Sequence, residues 1–219
     1  CLTFHNDIIL RDPFYAEERR DRPRDPRLFC SAAYPVPHKG IHIAIRAAAG
    51  LKNKFPKIQL RIAGAHQRQG LRQDGYVRWL NREIKRLGLT RHVVWLGVLS
   101  ADQIIKEMQS SAAMIIPSFI ENCCVAMQEA MEIGLPLVVS SSGGLPSLAD
   151  HERSALFFPA GDHVMCASQI ERLLADSSLA DRLSHESRVR ARERNHPDRI
   201  IKRQIDIYEQ VLGRANDIS

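Results

Sequence analysis

Short apolar runs recur along this chain, each bounded by glycine, proline or charged residues. The runs are four to six residues long and largely apolar, as expected for strands buried on both faces of a parallel sheet. A helical segment follows most of them, so the spacing predicts β–α units rather than hairpins. About six strands are predicted, at Leu28–Ala32, Gln59–Ala63, Val93–Leu96, Ala112–Ile116, Leu135–Ser140 and Ser154–Phe158.

Between these runs, apolar residues recur at the three- and four-residue intervals of a helix face. Tyr76–Leu87 is amphipathic in this way, and Gly88 supplies the glycine that commonly ends a helix. Ser100 and Gln103 have the spacing of a capping box. Helices are predicted at Lys39–Lys54, Tyr76–Leu87, Ser100–Ser110, Cys123–Ile133 and Leu145–Ala149, and then from His163 to Leu212 with breaks near Ser177 and at Pro197.

The alternation of strands and helices predicts an α/β fold, a Rossmann-like, doubly wound parallel sheet with extra C-terminal helices. We expect residues 28–195 to form this domain and residues 196–219 to form a C-terminal helix. Residues 1–27 are expected to be an interdomain segment, because Arg19–Arg27 carries charge and proline without apolar periodicity. The chain lacks an initiating Met and a signal peptide, so we expect its first residue to lie inside a longer protein.

Composition narrows the class of protein without choosing a function. The chain has 219 residues and is 44% hydrophobic, enough to bury a sizeable core, and it has no apolar run near the roughly 20 residues that span a bilayer. Its five cysteines include no CxxC pair, which favours a reducing cytoplasm over a disulfide framework or a zinc site. The net charge of +6 permits anionic partners, from nucleic acid to phosphorylated small molecules.

The most informative stretch is Pro117–Pro146, which covers two loops expected at the carboxyl ends of strands, where ligands bind in such folds. Glu121 and Glu129 lie eight residues apart in it. With Glu121 at the entry of the predicted helix and Glu129 two turns in, both carboxylates can project to one side and accept hydrogen bonds from hydroxyls. The helix N-terminus between them, at Asn122 to Cys124, offers free N–H groups to a phosphate. Two solvated glutamates on an ordinary amphipathic helix would have the same spacing.

Two features favour a ligand site over a solvated helix face. The helix carries apolar residues on more than one side, so it is expected to be buried, and buried glutamates need partners. The next predicted strand is followed by Gly143 and Gly144, which allow close backbone approach to a ligand or form an anion-binding nest. A plain tight turn would use the same two glycines, so both interpretations stay open.

The order of these motifs resembles a known family. An E-x7-E pair followed by A-M-x-x-G-x-P-x-V-x-S and G-G-x-P is similar to the donor-domain signature of the GT4-type retaining glycosyltransferases. Four further matches follow the first four predicted strands, and His5-Asn6-Asp7 resembles the family's interdomain segment. The matching residues are Glu121, Glu129, Ala130-Met131, Gly134, Pro136, Val138, Ser140, Gly143-Gly144 and Pro146, with Lys39-Gly40, Ala63-Gly64, Trp95-Leu96-Gly97 and Pro117-Ser118 after the strands.

The resemblance implies a GT-B enzyme with two Rossmann-like halves, of which this chain would be the C-terminal, donor-binding half and would need the other half for catalysis. Glu129 would hold the ribose hydroxyls and Glu121 the hydroxyls of the transferred hexose. Lys39 would neutralise the diphosphate as the bond to the leaving nucleotide breaks, where a fixed cation stabilises the developing charge. The other implied donor contacts are Asn122, Cys123 and Cys124 beside the phosphate, Gly97, Val98 and Leu99 around the base, and Gly64, Gly143 and Gly144 in the adjoining loops.

The implied donor is a nucleotide-diphosphate sugar, with a UDP- or GDP-sugar expected. Neither a cofactor nor a metal is expected, because Lys39 and the helix dipole would supply the positive charge. The acceptor, a glycan or a lipid-linked molecule, would bind to the other half. The expected location is the cytoplasm, with a peripheral contact at the inner membrane face left open.

The sequence departs from the family pattern at several positions near the donor. Ala33-Tyr34 stands where a Gly-Arg pair is frequent, so a second phosphate-binding cation is missing there. Arg68 and Arg72, in the loop after the second strand, are alternative cations. Asn122-Cys123-Cys124 replaces the common G-F-G, and Ser147 replaces a frequent glutamate. These departures put the donor geometry in question but not the fold.

Other functions are left open by the same sequence. A degenerate module would hold a nucleotide without catalysis. A nucleic-acid-binding domain is motivated only by the pI of about 9.3, and the basic residues are dispersed and form no recognition motif. An epimerase lacks the E-x7-E context, and a phosphorylase needs a pyridoxal lysine that the sequence does not identify. The run Arg188–Arg194 is expected to be a solvated helix face, with an anionic membrane surface as the alternative contact.

Overall fold

A computed structural model of the chain describes residues 8–16, 26–65 and 75–216. Its central element is a six-stranded sheet. The strands are β1 Arg27–Ser31, β2 Gln59–Ala63, β3 Val93–Gly97, β4 Ala113–Ile116, β5 Leu137–Ser140 and β6 Leu156–Phe158. Every adjacent pair is parallel, with the order β3-β2-β1-β4-β5-β6. This is the order of a Rossmann-like sheet, so the predicted fold class is confirmed.

Helices cover both faces of the sheet, and their positions follow the predicted ones with shifts of a few residues at the ends. The capping box is confirmed, because the Ser100 Oγ accepts from the Gln103 N–H and the Gln103 side chain accepts from the Ser100 N–H. The C-terminal helices break at the two predicted places. The helices are α1 Asp12–Ala16, α2 Ile41–Leu51, α3 Gly75–Arg86, α4 Ala101–Gln109, α5 Val125–Ile133, α6 Leu145–Leu148, α7 His163–Ala175, α8 Ser177–Arg194 and α9 Pro197–Asn216.

The core forms two apolar layers, one on each face of the sheet. Successive residues of a strand point to opposite faces, so Leu28 and Cys30 pack in the layer beneath α2, α3 and α7, while Phe29 packs in the layer beneath α4 and α5. Both faces of β4 and β5 are buried, which explains why these runs are apolar at nearly every position.

Helix α1 lies inside the segment predicted to be interdomain, and the sequence pattern did not reveal it. Phe14 is fully buried and Leu10 almost so, in the layer shared with α4 and α5. Two apolar anchors in so short a segment leave no periodic signal. Most of Arg19–Arg27 lies outside the described residues, and the domain boundaries remain predictions.

Helix α9 exposes one row of apolar side chains along its length, and charged residues separate these apolar residues in the sequence. Among the helices that the structure describes, none is long and apolar enough to cross a membrane. The exposed row consists of Ile201, Ile205, Tyr208 and Leu212.

Candidate functional site

A cavity of about 820 Å³ opens at the carboxyl ends of β1 and β4, where the strand order reverses direction. Ligands of open α/β sheets bind at this switch point, and the volume falls within the roughly 300–1,000 Å³ typical of small-molecule sites. The loop after β1, the loop after β4, the start of α5 and residues 9–11 all contribute to its walls.

Lys39 and Glu121, which both line the cavity, form an ion pair. The Lys39 Nζ lies 2.7 Å from the Glu121 Oε2, and the side chains are 30% and 12% exposed. The Ser118 Oγ donates to the same carboxylate oxygen at 3.2 Å. Two predicted site residues from separate loops are therefore brought together by a charge-assisted hydrogen bond.

The turn that carries Lys39 is fixed against the loop that carries Glu121. Residues Pro37–Lys39 form a 3₁₀ turn that ends at Gly40, whose φ is 67°. A Cβ on Gly40 would lie 1.8 Å from the carbonyl oxygen of Pro117, so glycine is required both by the backbone angle and by the close approach. The Phe119 N–H also donates to the His38 carbonyl at 2.7 Å. These contacts set the distance between the lysine and the glutamate.

Glu129 and Arg11 form a second ion pair, at the wall formed by α5. The Arg11 Nη2 lies 2.7 Å from the Glu129 Oε1, with the arginine side chain 51% exposed and the glutamate side chain 5% exposed. Burial raises the pKa of the Glu129 carboxyl, and the Arg11 bond opposes that rise. Arg11 was not predicted as a site residue. A buried carboxylate calls for a cation, but no sequence pattern indicated which one.

The start of α5 differs from the predicted one by two residues. Cys124 has extended backbone angles and is the N-cap, so the helix begins at Val125. The first-turn amides without an intrahelical partner therefore include those of Val125 and Ala126, two residues that line the cavity beside Cys123 and Cys124. The contact of Asn122, Cys123 and Cys124 with a phosphate remains a prediction. Glu129 is the fifth residue of α5, about one turn inside the helix rather than two.

The two adjacent cysteines pack in the wall of the cavity. Cys124 is buried, and burial raises the pKa of its thiol to about 12. Cys123 is half-buried and its Sγ accepts from the Gln128 Nε2 at 3.2 Å. A thiol held neutral is a poor nucleophile, and the Cys124 side chain packs in the apolar layer of the core.

The paired glycines after β5 lie against the protein itself. A Cβ on Gly143 would be 2.0 Å from the carbonyl oxygen of Glu121, and one on Gly144 would be 2.0 Å from that of Asn122. The Gly144 N–H donates to the Glu121 carbonyl at 2.8 Å. The glycines therefore support the loop that presents Glu121, and they are not among the residues that line the cavity.

Other predicted contacts lie at the same edge of the sheet but outside this cavity. Gly64, with φ 142°, approaches the carbonyl oxygen of Ala32, where a Cβ would be 1.7 Å away. Gly97 ends β3 and Val98 and Leu99 follow it. Strand β2 separates β3 from β1, and these three residues do not line the cavity. Their contact with a base remains a prediction. Arg68 and Arg72 lie outside the described residues.

Tyr34 stands at the mouth of the cavity, where the family pattern often has a cation, and its side chain is largely exposed. Among residues 8–16, 26–65 and 75–216, no three histidine, cysteine, aspartate or glutamate side chains come together as a metal site. The described walls thus offer two carboxylates, two cations and a helix N-terminus as their chemistry.

Sequence comparison relates the chain to glycosyltransferases. Residues 16–190 match the model of a family described as Glycosyl transferases group 1. The chain is 26% identical over 210 residues to the glycosyltransferase YqgM of Bacillus subtilis, and the matched region covers 94% of this chain and 56% of YqgM. It is 27% identical over 180 residues to a glycogen synthase of Mycobacterium tuberculosis, which covers 82% of this chain and 41% of the relative. The chain spans about half the length of the relatives it matches.

Solved structures share the fold. The sucrose-phosphate synthase of Thermosynechococcus elongatus superposes with a TM-score of 0.76 and 22% identity over 94% of this chain and 50% of that one. Anabaena HepE, solved in complex with UDP-glucose, superposes with a TM-score of 0.74 and 22% identity over 87% of this chain and 49% of that one. At these identities the likeness shows the fold, which is that of one half of a GT-B glycosyltransferase.

Proposed function

This chain belongs to the glycosyl transferases group 1 family, and on that premise we propose that it binds the nucleotide-sugar donor of a retaining glycosyltransferase. The observation that carries the proposal is the pairing of Glu121 with Lys39 and of Glu129 with Arg11 around one cavity. A nucleotide sugar has hydroxyls on two sugar rings and a diphosphate between them. It can therefore engage a carboxylate at each end and cations and amides in the middle.

The donor would lie along α5 with its two ends on the two glutamates. Glu129 accepts hydrogen bonds from the ribose hydroxyls, and Glu121 accepts them from the hexose. The diphosphate then lies beside the amides of Val125 and Ala126, because the N-terminus of a helix favours a bound anion. The buried position of Glu129 supports this orientation, since a shielded carboxylate gains more from two hydroxyl donors than a solvated one.

Lys39 carries the catalytic part of the proposal. As the bond between the hexose and the diphosphate breaks, negative charge grows on the leaving phosphate, and a cation already in place stabilises that charge. The hydrogen bond to Glu121 holds the Lys39 ammonium at the end of the cavity where the hexose would lie. The ammonium has three donors, so it can keep Glu121 as a partner and still contact the phosphate.

The first donors to test are UDP-sugars. The Anabaena structure contains UDP-glucose, and we carry that donor class to this chain as part of the proposal. The transferred sugar is proposed to be a hexose, and the acceptor a glycan or a lipid-linked molecule bound by the other half of the enzyme.

A second candidate is a module that binds the donor without transferring its sugar. Tyr34 favours it, because this large exposed side chain lines the cavity where the family pattern often has an arginine. Transfer would then lack one phosphate-binding cation, while binding through Glu129 and the α5 amides would persist.

Thermal unfolding of the chain with UDP, GDP, ADP and their sugar conjugates tests donor binding. A ligand present at about 100 times its dissociation constant adds roughly 2.7 kcal/mol to the free energy of unfolding, a rise of about 5–10 °C in Tm for a domain of this size. We expect one nucleotide to give this shift and the Glu129→Ala variant to lose it.

The matched control is Glu171→Ala, which removes an exposed glutamate paired with Lys54 away from the cavity. This variant should keep the full ligand-induced shift. If no nucleotide raises the Tm of the wild-type chain, or if Glu129→Ala keeps the shift, the proposed donor site is wrong.

A further inference from the structure

Arg11 reaches the cavity from the segment that precedes α1. Its Nη2 lies 2.7 Å from the Glu129 Oε1, although the two residues are 118 positions apart in the sequence. Arg11 itself lines the cavity and is half-exposed, whereas Glu129 is buried. The bond is therefore a long-range contact at the inner wall, made by a side chain that a ligand can also reach.

The local structure fixes Arg11 in this position. The Leu10 N–H donates to the Tyr15 hydroxyl at 2.9 Å, and that hydroxyl donates to the Asn195 carbonyl at 2.8 Å. The Arg11 guanidinium lies over the Phe14 ring, 5.0 Å from its centroid, and Phe14 is fully buried. These contacts hold the backbone before Arg11 and the guanidinium itself, so little side-chain entropy is lost when the bond to Glu129 forms.

The contact with Arg11 favours the ionised form of Glu129. Burial raises the pKa of its carboxyl, and Arg11 is the cation that opposes the rise. Several charged side chains on or near α5 form pairs with other residues. These pairs are Arg192 of α8 with Glu132 at 3.4 Å, Arg61 of β2 with Glu107 of α4 at 2.7 Å, and Lys39 with Glu121 at 2.7 Å.

We infer that Arg11 is a positioning residue, which holds Glu129 ionised and oriented so that its carboxylate recognises the two ribose hydroxyls of the donor. The inference rests on the proposed function. A carboxylate offers about four acceptor sites, so one bond to Arg11 leaves enough capacity for a vicinal diol. A protonated carboxyl donates at one oxygen and loses part of that capacity. Arg11 thereby couples the segment before α1 to selection of a ribonucleotide.

The test compares ribose recognition in the wild-type chain and in Arg11→Met, which keeps the apolar stem and removes the charge. The dissociation constants of the best-binding of UDP, GDP and ADP and of its 2′-deoxy form are measured by calorimetry at a series of values from about pH 5.5 to about pH 8.5. The series lies above the ordinary pKa of a glutamate, because burial raises the pKa of Glu129. The matched control is Arg153→Met, which breaks a surface pair with Glu186.

We expect the wild-type chain to prefer the ribonucleotide about tenfold and the control to match it. Arg11→Met should lose most of this preference near pH 6 and regain part of it as the pH rises and Glu129 ionises. The midpoint of the pH profile should move up by about one unit or more. Arg11→Lys, which keeps the charge, should restore the wild-type midpoint and part of the preference.

Several results would overturn the inference while leaving the donor site intact. One is an unchanged ratio and pH profile in Arg11→Met. Another is an equal loss of affinity for both nucleotides, which would mean that Arg11 contacts the diphosphate directly. Should Arg11→Met not fold, Tyr15→Phe provides the second test, because it removes the hydroxyl that fixes Leu10. That variant should lower the preference about threefold, and no change would count against the inference. If wild-type binding does not depend on Glu129, the proposed function itself fails.

Discussion

Two ion pairs, Lys39–Glu121 and Arg11–Glu129, form the two ends of the proposed donor site, and they are built from different parts of the chain. At each end a carboxylate meets a cation at 2.7 Å. Lys39 and Glu121 belong to the loops after β1 and β4, which are neighbours in the sheet. Arg11 comes from outside the β–α repeat and crosses to Glu129 in the middle of the pattern. The Lys39–Glu121 pair therefore follows from the order of strands in the sheet. The Arg11–Glu129 pair depends on the segment that precedes α1.

The difference separates two tasks that a donor site must perform. Lys39 and Glu121 lie in the loops beside the switch point, where the diphosphate and hexose are proposed to bind. The Lys39 side chain is partly shielded from solvent. The Arg11–Glu129 pair has a buried carboxylate and an exposed arginine, which suits recognition of a neutral diol. We therefore expect changes at the first end to affect binding of the phosphates and changes at the second to affect binding of the nucleoside.

The largest effect on stability should follow from Gly143→Ala, because the added Cβ would collide with the loop that carries Glu121. A Cβ at this position would be 2.0 Å from the Glu121 carbonyl oxygen, at a φ of 52°. We expect a loss of about 2–4 kcal/mol in the free energy of unfolding, measured with denaturant. Gly97→Ala is the matched control, because its φ is also positive but no atom lies within 4 Å of the added Cβ. It should lose only about 1 kcal/mol, and equal losses would mean that the contact with Glu121 is unimportant.

The next effect concerns Lys39→Met, which removes the cation and keeps the stem. We expect UDP affinity to fall about 10- to 100-fold, as for loss of a charged hydrogen bond, while uridine affinity stays within about twofold. Titration calorimetry with both ligands measures the split, and Lys54→Met, far from the cavity, should change neither. An equal loss of affinity for UDP and uridine would contradict the proposal that Lys39 binds the phosphates while Glu129 binds the nucleoside.

These first tests bear on the parts of the site that the sequence could predict. The apolar runs and their helical intervals predict the β–α order, which places the loops after the strands at one edge of the sheet. The family resemblance assigns Lys39 and Glu121 of these loops to one donor site. The capping box at Ser100 and the break at Pro197 follow from local chemistry in the same way.

The remaining features depend on contacts that no local pattern contains. Helix α1 is anchored by the buried Phe14, and Arg11, which precedes the helix, contacts Glu129 only in the folded chain. The start of α5 depends on the extended backbone of Cys124. The Gly143-Gly144 pair was expected to approach a ligand or to form a turn, and it forms a turn whose close approach is to the Glu121 loop. In each case tertiary packing decides what the residue touches.

A smaller effect should distinguish the Arg11 end by its pH dependence. The pKa of Glu129 is raised in the folded state, so its contribution to stability is full below its unfolded pKa and is lost as the pH rises through the folded value. Arg11→Met raises that pKa further. The loss of stability relative to wild type should be near zero at about pH 4 and grow to about 1–2 kcal/mol by about pH 8. Denaturant unfolding across this range checks the sign, and a difference that shrinks with rising pH would contradict it.

The smallest effect is a change in thiol accessibility at Cys123. This thiol is half-buried in the cavity wall, while Cys30, Cys124 and Cys166 are buried, and burial raises the pKa of all three. Peptide mapping after alkylation should find Cys123 labelled faster than those three, and a saturating nucleotide should slow its labelling several-fold. A labelling rate of Cys123 that is the same with and without the nucleotide would argue against nucleotide binding beside α5.

The central claim is that one nucleotide spans both ends of this cavity, and a crystal structure of the chain with UDP or its best-binding relative tests it most directly. We predict that the ribose hydroxyls lie about 2.6–3.2 Å from the Glu129 carboxylate, with the diphosphate beside the start of α5 and the Lys39 ammonium. A nucleotide that lies elsewhere, or one that places its phosphates on Glu129 and its ribose near Glu121, would contradict the account.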